Sequence, residues 1–345
     1  MKKTLKVAVI ILNWNGISFL KQFIPVLEKF TTFQNVELVV ADNGSTDNSM
    51  QFLKENHKNI KLIEFTENHG FAEGYNKAIS ETEAEYVLLL NSDIEVTENW
   101  LMPLLNCITT NDLVAGCVPK IKSFHNKTFF EYAGAAGGYI DKLGYAFCKG
   151  RIFDSVEEDK NQYNRNDEVF WTSGAAMLVK RAIFLEAGGL DSRFFAHMEE
   201  IDLCWRIKNM GYKLLYCADS TVYHIGGGTL PKSNPRKTYL NFRNNLMMLL
   251  KNLPAGKIFS TLFVRMLLDG IAAISFLAKG KGGDFFAVLK AHFHFYKAVP
   301  YCLKKRKELK NKMKVSFHKE IYQRSIVVDY MIRKKKTFTD LNFKQ

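Results

Sequence analysis

Short apolar runs alternate with amphipathic stretches from the N-terminus onward. The runs at 7–12, 36–41, 60–65 and 86–90 are rich in β-branched and aliphatic residues, the composition of buried strands. Between them, 16–30, 47–56 and 70–81 repeat apolar residues at helical spacing. This alternation predicts a mostly parallel sheet with helices on its faces, in which ligands bind beyond the carboxyl ends of the strands. Polar clusters fall at those ends: Asn13-Trp14-Asn15-Gly16, Asp42-Asn43-Gly44-Ser45-Thr46-Asp47, Asn68-His69-Gly70 and Asn91-Ser92-Asp93. The four loops are expected to converge on one sheet edge. Residues 125–168 read as loop, Gly-rich at 133–138. Strand character returns at 169–179, a helix is expected over 198–210, and strand-like 213–217 and 222–224 precede a Gly226-Gly227-Gly228 turn.

From about residue 236 the texture changes. Residues 258–278 are mainly apolar, but Arg265 and Asp269 interrupt the middle. Spanning a bilayer would place both in hydrocarbon at about 2.5–3.5 kcal/mol each, so an interfacial or protein-packed helix is expected. Aromatic-rich 285–301 follows, then the basic runs Lys304-Lys305-Arg306-Lys307 and Arg333-Lys334-Lys335-Lys336.

The charge is split along the chain. Residues 1–230 hold 23 Lys+Arg against 29 Asp+Glu, a net of −6; residues 231–345 hold 25 against 6, a net of +19. A nucleic-acid-binding catalytic domain would carry the basic charge itself, so a nucleic-acid partner is not expected. The 345 residues suit one large α/β domain over 1–235 and a helical basic appendage over 236–345. The appendage is expected to meet a separate anionic surface, a membrane, with a soluble appendage that packs on the large domain or forms a homodimer as the alternative. Six cysteines without a CxxC pair read as reduced core thiols. The start resembles a signal peptide but runs into Asn13-Trp14-Asn15 without a small-residue cleavage site, so it is read as a first strand and the protein as cytoplasmic, peripheral to the inner face of the cell membrane.

Seven segments in order, NWNG, ADNGSTD, ENHGFAEGYN, NSD, SGAAMLVKR, HMEEIDLCWR and VYHIGGGT, resemble the family 2 glycosyltransferases with the GT-A fold, in their bacterial rhamnosyltransferase branch. The resemblance covers about residues 6–250. It implies inverting transfer of a sugar from a nucleotide diphosphate donor, with L-rhamnose from dTDP-rhamnose the leading choice. The acceptor would be a glycan or lipid-linked saccharide in cell-surface polysaccharide synthesis. A divalent cation, Mn²⁺ or Mg²⁺, would assist the departing diphosphate.

Under this resemblance Asp42 accepts a hydrogen bond from the ring N–H of the base, though Asp-Asn-Gly-Ser is also good turn chemistry. Asn13, Asn15, Asn68, Gly70, Asn76, Asn91 and Ser92 line the nucleotide-sugar pocket, and Arg243 reaches the diphosphate. Asp47 is expected to cap the next helix rather than bind ligand. Asp93, third in an Asn-Ser-Asp variant of the DxD motif, is the expected metal ligand, with His224 completing the metal shell. Glu200 is the expected general base, with Glu199 and Asp202 as companions; the family has Glu-Asp or Asp-Asp where this chain has Glu-Glu. Acidic residues at a helix N-terminus also have a purely electrostatic explanation. Trp171, Ser173, Gly174 and Arg206 are placed on the acceptor side.

Other classes fit less well. A sugar-1-phosphate nucleotidyltransferase needs a Gly-rich basic loop after the first strand, where this chain has Asn-Trp-Asn-Gly. A dehydrogenase needs GxGxxG, and Gly70–Gly74 lacks it. A catalytically impaired sugar-nucleotide-binding relative remains the alternative, because of Glu-Glu and Asn91.

Overall fold

The computed structural model describes residues 6–226 and 234–343; Gly227 and Gly228 of the expected turn, and the first residues of the signal-like start, lie outside the described residues. Four strands, β1 (Val7–Asn13), β2 (Val36–Asn43), β3 (Lys61–Phe65) and β4 (Tyr86–Asn91), pair in parallel in the order β4-β1-β2-β3. Helices α1 (Ile17–Phe30), α2 (Ser49–Asn56) and α3 (Gly70–Ser80) connect them. β1 is buried almost throughout because helices cover both faces of a parallel sheet, which explains its unbroken apolar run. α1 buries Leu20, Phe23, Ile24 and Leu27, the i, i+3, i+4, i+7 stripe of an amphipathic helix.

The second half of the sheet is mixed. After β5 (Ile94–Val96), α4 (Leu101–Thr109) and β6 (Val114–Ser123), the stretch expected to be loop forms a meander of short strands, β7 (Gly138–Asp141), β8 (Ala146–Cys148), β9 (Arg151–Ile152) and β10 (Ser155–Val156). Strands of two to four residues with glycine turns leave no readable alternation. The run at 169–179 is divided between β11 (Asp167–Val169) and β12 (Ala176–Lys180), with residues 170–175 connecting them. β12 lies antiparallel between β4 and β6. Helices α5 (Arg181–Glu186) and α6 (Glu199–Asn209) precede β13 (Lys213–His224), a single strand whose register shifts between Cys217 and Thr221, the break that separates two runs in the sequence. The large sheet has the order β11-β13-β6-β12-β4-β1-β2-β3, with β5 paired to β13.

Of the C-terminal helices α7 (Pro235–Asn252), α8 (Ile258–Ala278) and α9 (Gly282–Lys310), α7 packs against α6 and against the other two. Leu246–Leu250 of α7 lie in the same continuous core as β1 and β4. β14 (Ile321–Tyr322) pairs with β7, and α10 (Ile326–Met331) follows it, so the chain end closes over the meander. Among the described residues one helical stretch, Ala255–Ala278, is long and apolar enough to cross a membrane by length and composition alone.

Candidate active site

The ends of β1 and β2 lie side by side, Asn13 opposite Asp42. Asn13 Nδ2 donates to Asp42 Oδ1 at 2.8 Å and to Ser45 Oγ at 3.1 Å, and the Ser45 amide donates to Asp42 Oδ2 at 2.9 Å. Both expected roles of Asp42 are therefore compatible: it organises the turn, and each carboxylate oxygen keeps a free lone pair for a base N–H. Asn13 Oδ1 is buried without a protein partner. A Cβ at Gly16 would sit 2.5 Å from that oxygen, so glycine keeps the space open. Ser92 Oγ approaches the same point from β4 at 3.7 Å.

Asn15, at φ 50°, accepts from the Thr46 amide at 2.7 Å. Asp47 accepts from the amides of Ile17 and Ser49, capping the first turns of α1 and α2 at once. Asn68 Oδ1 accepts from Asn43 Nδ2 and from the Gly70 amide, where φ is +78° and a Cβ would strike the Phe195 ring.

Asp93 and His224 meet although 131 positions separate them. β13 pairs His224 with Ile94, the residue after Asp93, and Asp93 Oδ1 lies 3.2 Å from His224 Nε2. Burial would push the imidazole down, but the carboxylates of Asp93 and Glu131 outweigh it and raise the ring to about 10. Burial would likewise raise the Asp93 carboxyl, and the His224 contact holds it below its ordinary value. In this state the two are a direct ion pair, and a divalent cation would have to displace the imidazole proton before both atoms could ligate it. Among the described residues no group of three or more His, Cys, Asp or Glu is placed to hold a metal ion, so the remaining ligands would be diphosphate oxygens and water.

Glu131 was not expected. Its Oε2 lies 3.2 Å from His224 Nδ1, close enough for charge attraction but without hydrogen-bond geometry, and accepts from the Ala133 amide. It comes from the stretch read as loop, and nothing in its local sequence marks it.

Glu199 and Glu200 begin α6. The residues before them hold a rare backbone: Phe195, His197 and Met198 have φ of 64°, 70° and 71°. Neither Glu199 Oε2 nor Glu200 Oε2 has a protein partner, and both atoms are shielded from solvent. Burial, reinforced by the Glu200 charge, holds Glu199 well above the usual carboxyl range. Burial raises Glu200 to about 7, against the lowering effect of the helix-start amides of Glu200 and Ile201. Of the two, Glu200 is the group that changes charge near neutrality. Its Cβ would be 3.7 Å from a Cβ at Gly174, and the next residue's carbonyl, Ala175 O, accepts from the Asn91 amide at 2.9 Å. The acid pair and the Asn-Ser-Asp loop thus share one rim.

The strained loop is clamped from α7. Asn244, fully buried, donates through Nδ2 to the carbonyls of Phe194, Ala196 and His197 at 3.0, 3.0 and 2.7 Å. Arg243 donates to Arg193 O and Phe194 O.

Several expected site residues serve the scaffold instead. Arg243 is spent on those carbonyls, Asn244 Oδ1 and Tyr239 Oη rather than on a diphosphate. Asp202 is fully buried and accepts from Arg206, Lys251 and Asn252. Arg206 is buried, bound to Asp202, Ala187 O and Gly189 O, so it does not reach an acceptor. Asn76 brackets Leu190 through both its amide and carbonyl groups. Trp171 packs flat against Gly138 and donates to Tyr139 O, and Ser173 donates to Ala133 O.

Residues 8–187 match the family model described as "Glycosyl transferase family 2", slightly more than half of the chain. This chain is a family 2 glycosyltransferase. The family 2 glycosyltransferase is 24% identical over 221 residues to the N-acetylglucosaminyl-diphospho-decaprenol L-rhamnosyltransferase of Mycobacterium tuberculosis, covering 58% of this chain and 72% of the relative. Its fold is that of TarS 1-349 of S. aureus in complex with UDP-GlcNAc, at TM-score 0.56 and 16% identity, over 89% and 88% of the two chains. The mannosyltransferase PcManGT of Pyrobaculum calidifontis, in complex with GDP-Man and Mn²⁺, aligns at TM-score 0.53 and 16% identity over 97% and 89%. These likenesses show that the family 2 glycosyltransferase has the GT-A architecture.

Proposed function

We propose that the enzyme transfers L-rhamnose from dTDP-rhamnose, with inversion, to a glycan or lipid-linked saccharide at the cytoplasmic face of the cell membrane. The observation that supports the inverting chemistry is the pair Glu199–Glu200, the first buried and the second half-buried, both shielded and unpartnered on Oε2, with Glu200 poised near neutrality. Glu200 takes the proton of the acceptor hydroxyl as its oxygen bonds to the anomeric carbon. The bond from that carbon to the diphosphate breaks on the opposite face, and the nucleotide diphosphate leaves with the electron pair. Burial beside Glu200 disfavours a second negative charge on Glu199 and leaves Glu200 as the acceptor of the proton.

Asp42 and the Asn13–Ser45 turn would hold the base, and Asp93 with His224 would hold the cation. When bound, a divalent ion neutralises charge on the leaving diphosphate. The choice of rhamnose and of a lipid-linked acceptor is supported by the similarity to the mycobacterial L-rhamnosyltransferase. The departure to Glu-Glu favours a second reading, a sugar-nucleotide binder without turnover.

Thermal shift with a panel of nucleotide sugars, each with and without Mn²⁺, followed by release of nucleotide diphosphate, separates the readings. A donor at one hundred times its Kd stabilises the fold by about 2.7 kcal/mol. The proposal expects the largest shift with dTDP-rhamnose and Mn²⁺, and diphosphate release when acceptor is added. A shift without release under every condition favours the binder.

A further inference from the structure

The polarity of α8 is inverted. Its two charged residues face the protein: Arg265 Nε donates to Asp269 Oδ1 at 3.0 Å, Arg265 Nη1 donates to Leu143 O at 3.2 Å, and His292 Nε2 of α9 lies 3.2 Å from Asp269 Oδ2. The guanidinium also stacks 3.6 Å over the Tyr145 ring. The opposite face, exposed to solvent, carries Phe259, Phe263, Leu267, Ile271, Ile274 and Leu277. That stripe extends about 27 Å along the helix at 1.5 Å per residue.

α9 continues it. Phe286, Leu289, Phe293 and Tyr296 are all at least half exposed and recur at 3, 4 and 3 residues, one face of a helix. The two stripes meet where Tyr296 Oη lies 3.3 Å from Met266 Sδ. Singly exposed apolar residues need no explanation, but a contiguous two-helix platform does.

The charges around the platform identify its occupant. From residue 257 to residue 310 the exposed charged side chains are the lysines Lys257, Lys279, Lys281, Lys290, Lys297, Lys304, Lys307 and Lys310 and a single acid, Glu308, which pairs with Lys305 at 3.0 Å. The other acids of that span, Asp269 and Asp284, are buried. A second copy of the chain would bring one lysine rim against another. A leaflet rich in anionic lipid matches the rim and accepts the apolar stripe. The buried Arg265–Asp269–His292 cluster fixes α8 against Leu143 of the meander, so the helix lies along a surface instead of crossing it.

We propose that the α8–α9 hairpin is a monotopic membrane-docking platform, inserted by its aromatic and aliphatic stripe into one leaflet and held by the lysine rim to anionic headgroups. This deepens the reading of a transferase acting on membrane-borne acceptors, and rests on that reading for its purpose only.

The test is sedimentation of the full chain with phosphatidylcholine vesicles, with and without phosphatidylglycerol, at low and high salt. Wild-type protein is expected to pellet with the anionic vesicles at low salt and to be released by high salt. The exposed-site variants Ile271→Glu/Ile274→Glu and Lys290→Glu/Lys297→Glu/Lys304→Glu are each expected to lower vesicle partitioning at least about tenfold while leaving turnover of a soluble acceptor unchanged. The platform is overturned if wild type stays in the supernatant at low salt, or if its pelleting ignores lipid charge. It is equally overturned if wild type is a dimer in sedimentation velocity that Ile271→Glu/Ile274→Glu splits. Absence of donor turnover by wild type in solution strikes the transferase reading and leaves this one standing.

Discussion

Replacing Asn244 by alanine removes the clamp on the loop that delivers the acid pair. One side-chain amide with two hydrogens serves three carbonyls, those of Phe194, Ala196 and His197, from a fully buried position on α7. Each lost hydrogen bond costs about 0.5–1.5 kcal/mol net, and a carbonyl left buried and unpaired costs about 1–3 kcal/mol. With two donors removed and some entry of water, the fold should lose about 2–4 kcal/mol. The loop has its own reason to move, because left-handed backbone at Phe195, His197 and Met198 holds about 1–3 kcal/mol each and persists only where neighbours over-determine it. Relaxation would shift the first turn of α6, and a displacement of about 1 Å at the base costs about 10²-fold in rate. The expected result is a kcat lower by about 10²-fold, with donor KM and donor Kd within about threefold of wild type, because the Asp42 and Asp93 loops stand on other strands. Asn244→Asp keeps the shape but sets carboxylate oxygens against three carbonyls, so it should be worse than alanine in both kcat and Tm. Steady-state kinetics, donor titration and thermal melting on the three proteins measure this. A kcat within threefold of wild type despite a lowered Tm would refute the positioning argument, as would an Asn244→Asp enzyme as active as wild type.

Four further outcomes follow from the same geometry. Glu200→Gln should lower kcat by ~10²–10⁴-fold with donor binding intact, and if Glu199→Gln is the dead variant instead, the base is its neighbour. Wild-type kcat should rise with pH through about 7 as Glu200 ionises; the folded state holds that proton above the ordinary 4.5, so the group's contribution to stability is full below 4.5 and lost as pH rises through about 7, and Glu200→Gln should gain Tm over wild type at pH 8 more than at pH 5. Asp93→Asn should weaken Mn²⁺-dependent donor binding, read by titration with and without the ion, and normal Mn²⁺ dependence would count against the ligand assignment. Lys251→Met leaves Asp191 and Asp202 buried without their shared cation and should cost about 3–5 kcal/mol, read by denaturant melting.

The parallel half of the sheet was legible because each strand there is buried on both faces and each helix shows its stripe; β1, β2, β4 and α1 fall within two residues of their expected limits. The meander at Gly138–Val156 was not, since its strands are too short to carry a period. In the site, residues at strand ends were readable by position: Asp42, Asp93 and His224 stand where the loops converge. What local sequence does not encode is what a polar side chain finds on the far side of a contact. Asp202 resembles a catalytic companion in HMEEIDLCWR, but its partner Lys251 lies on another helix, and Arg206 resembles an acceptor contact until Ala187 O and Gly189 O claim it. Glu131 shows the converse, a residue without a motif that acquires a role through His224.

The buried cluster behind α6 joins Asp191, Asp202, Arg206 and Lys251, with Tyr301 of α9 donating to Asp191 at 2.9 Å. Its two cations and two anions balance, and none of the four is exposed to solvent that would absorb an imbalance. The four positions are therefore heritable most readily as a set: a descendant that alters one without altering another of opposite sign gives up about 3–5 kcal/mol of stability. The helices after residue 235 cannot be exchanged between relatives as a cassette unless position 251 brings its charge with it. A chimera that keeps this body and takes a tail without that lysine should fail at the base helix, far from the seam where the two sequences were joined.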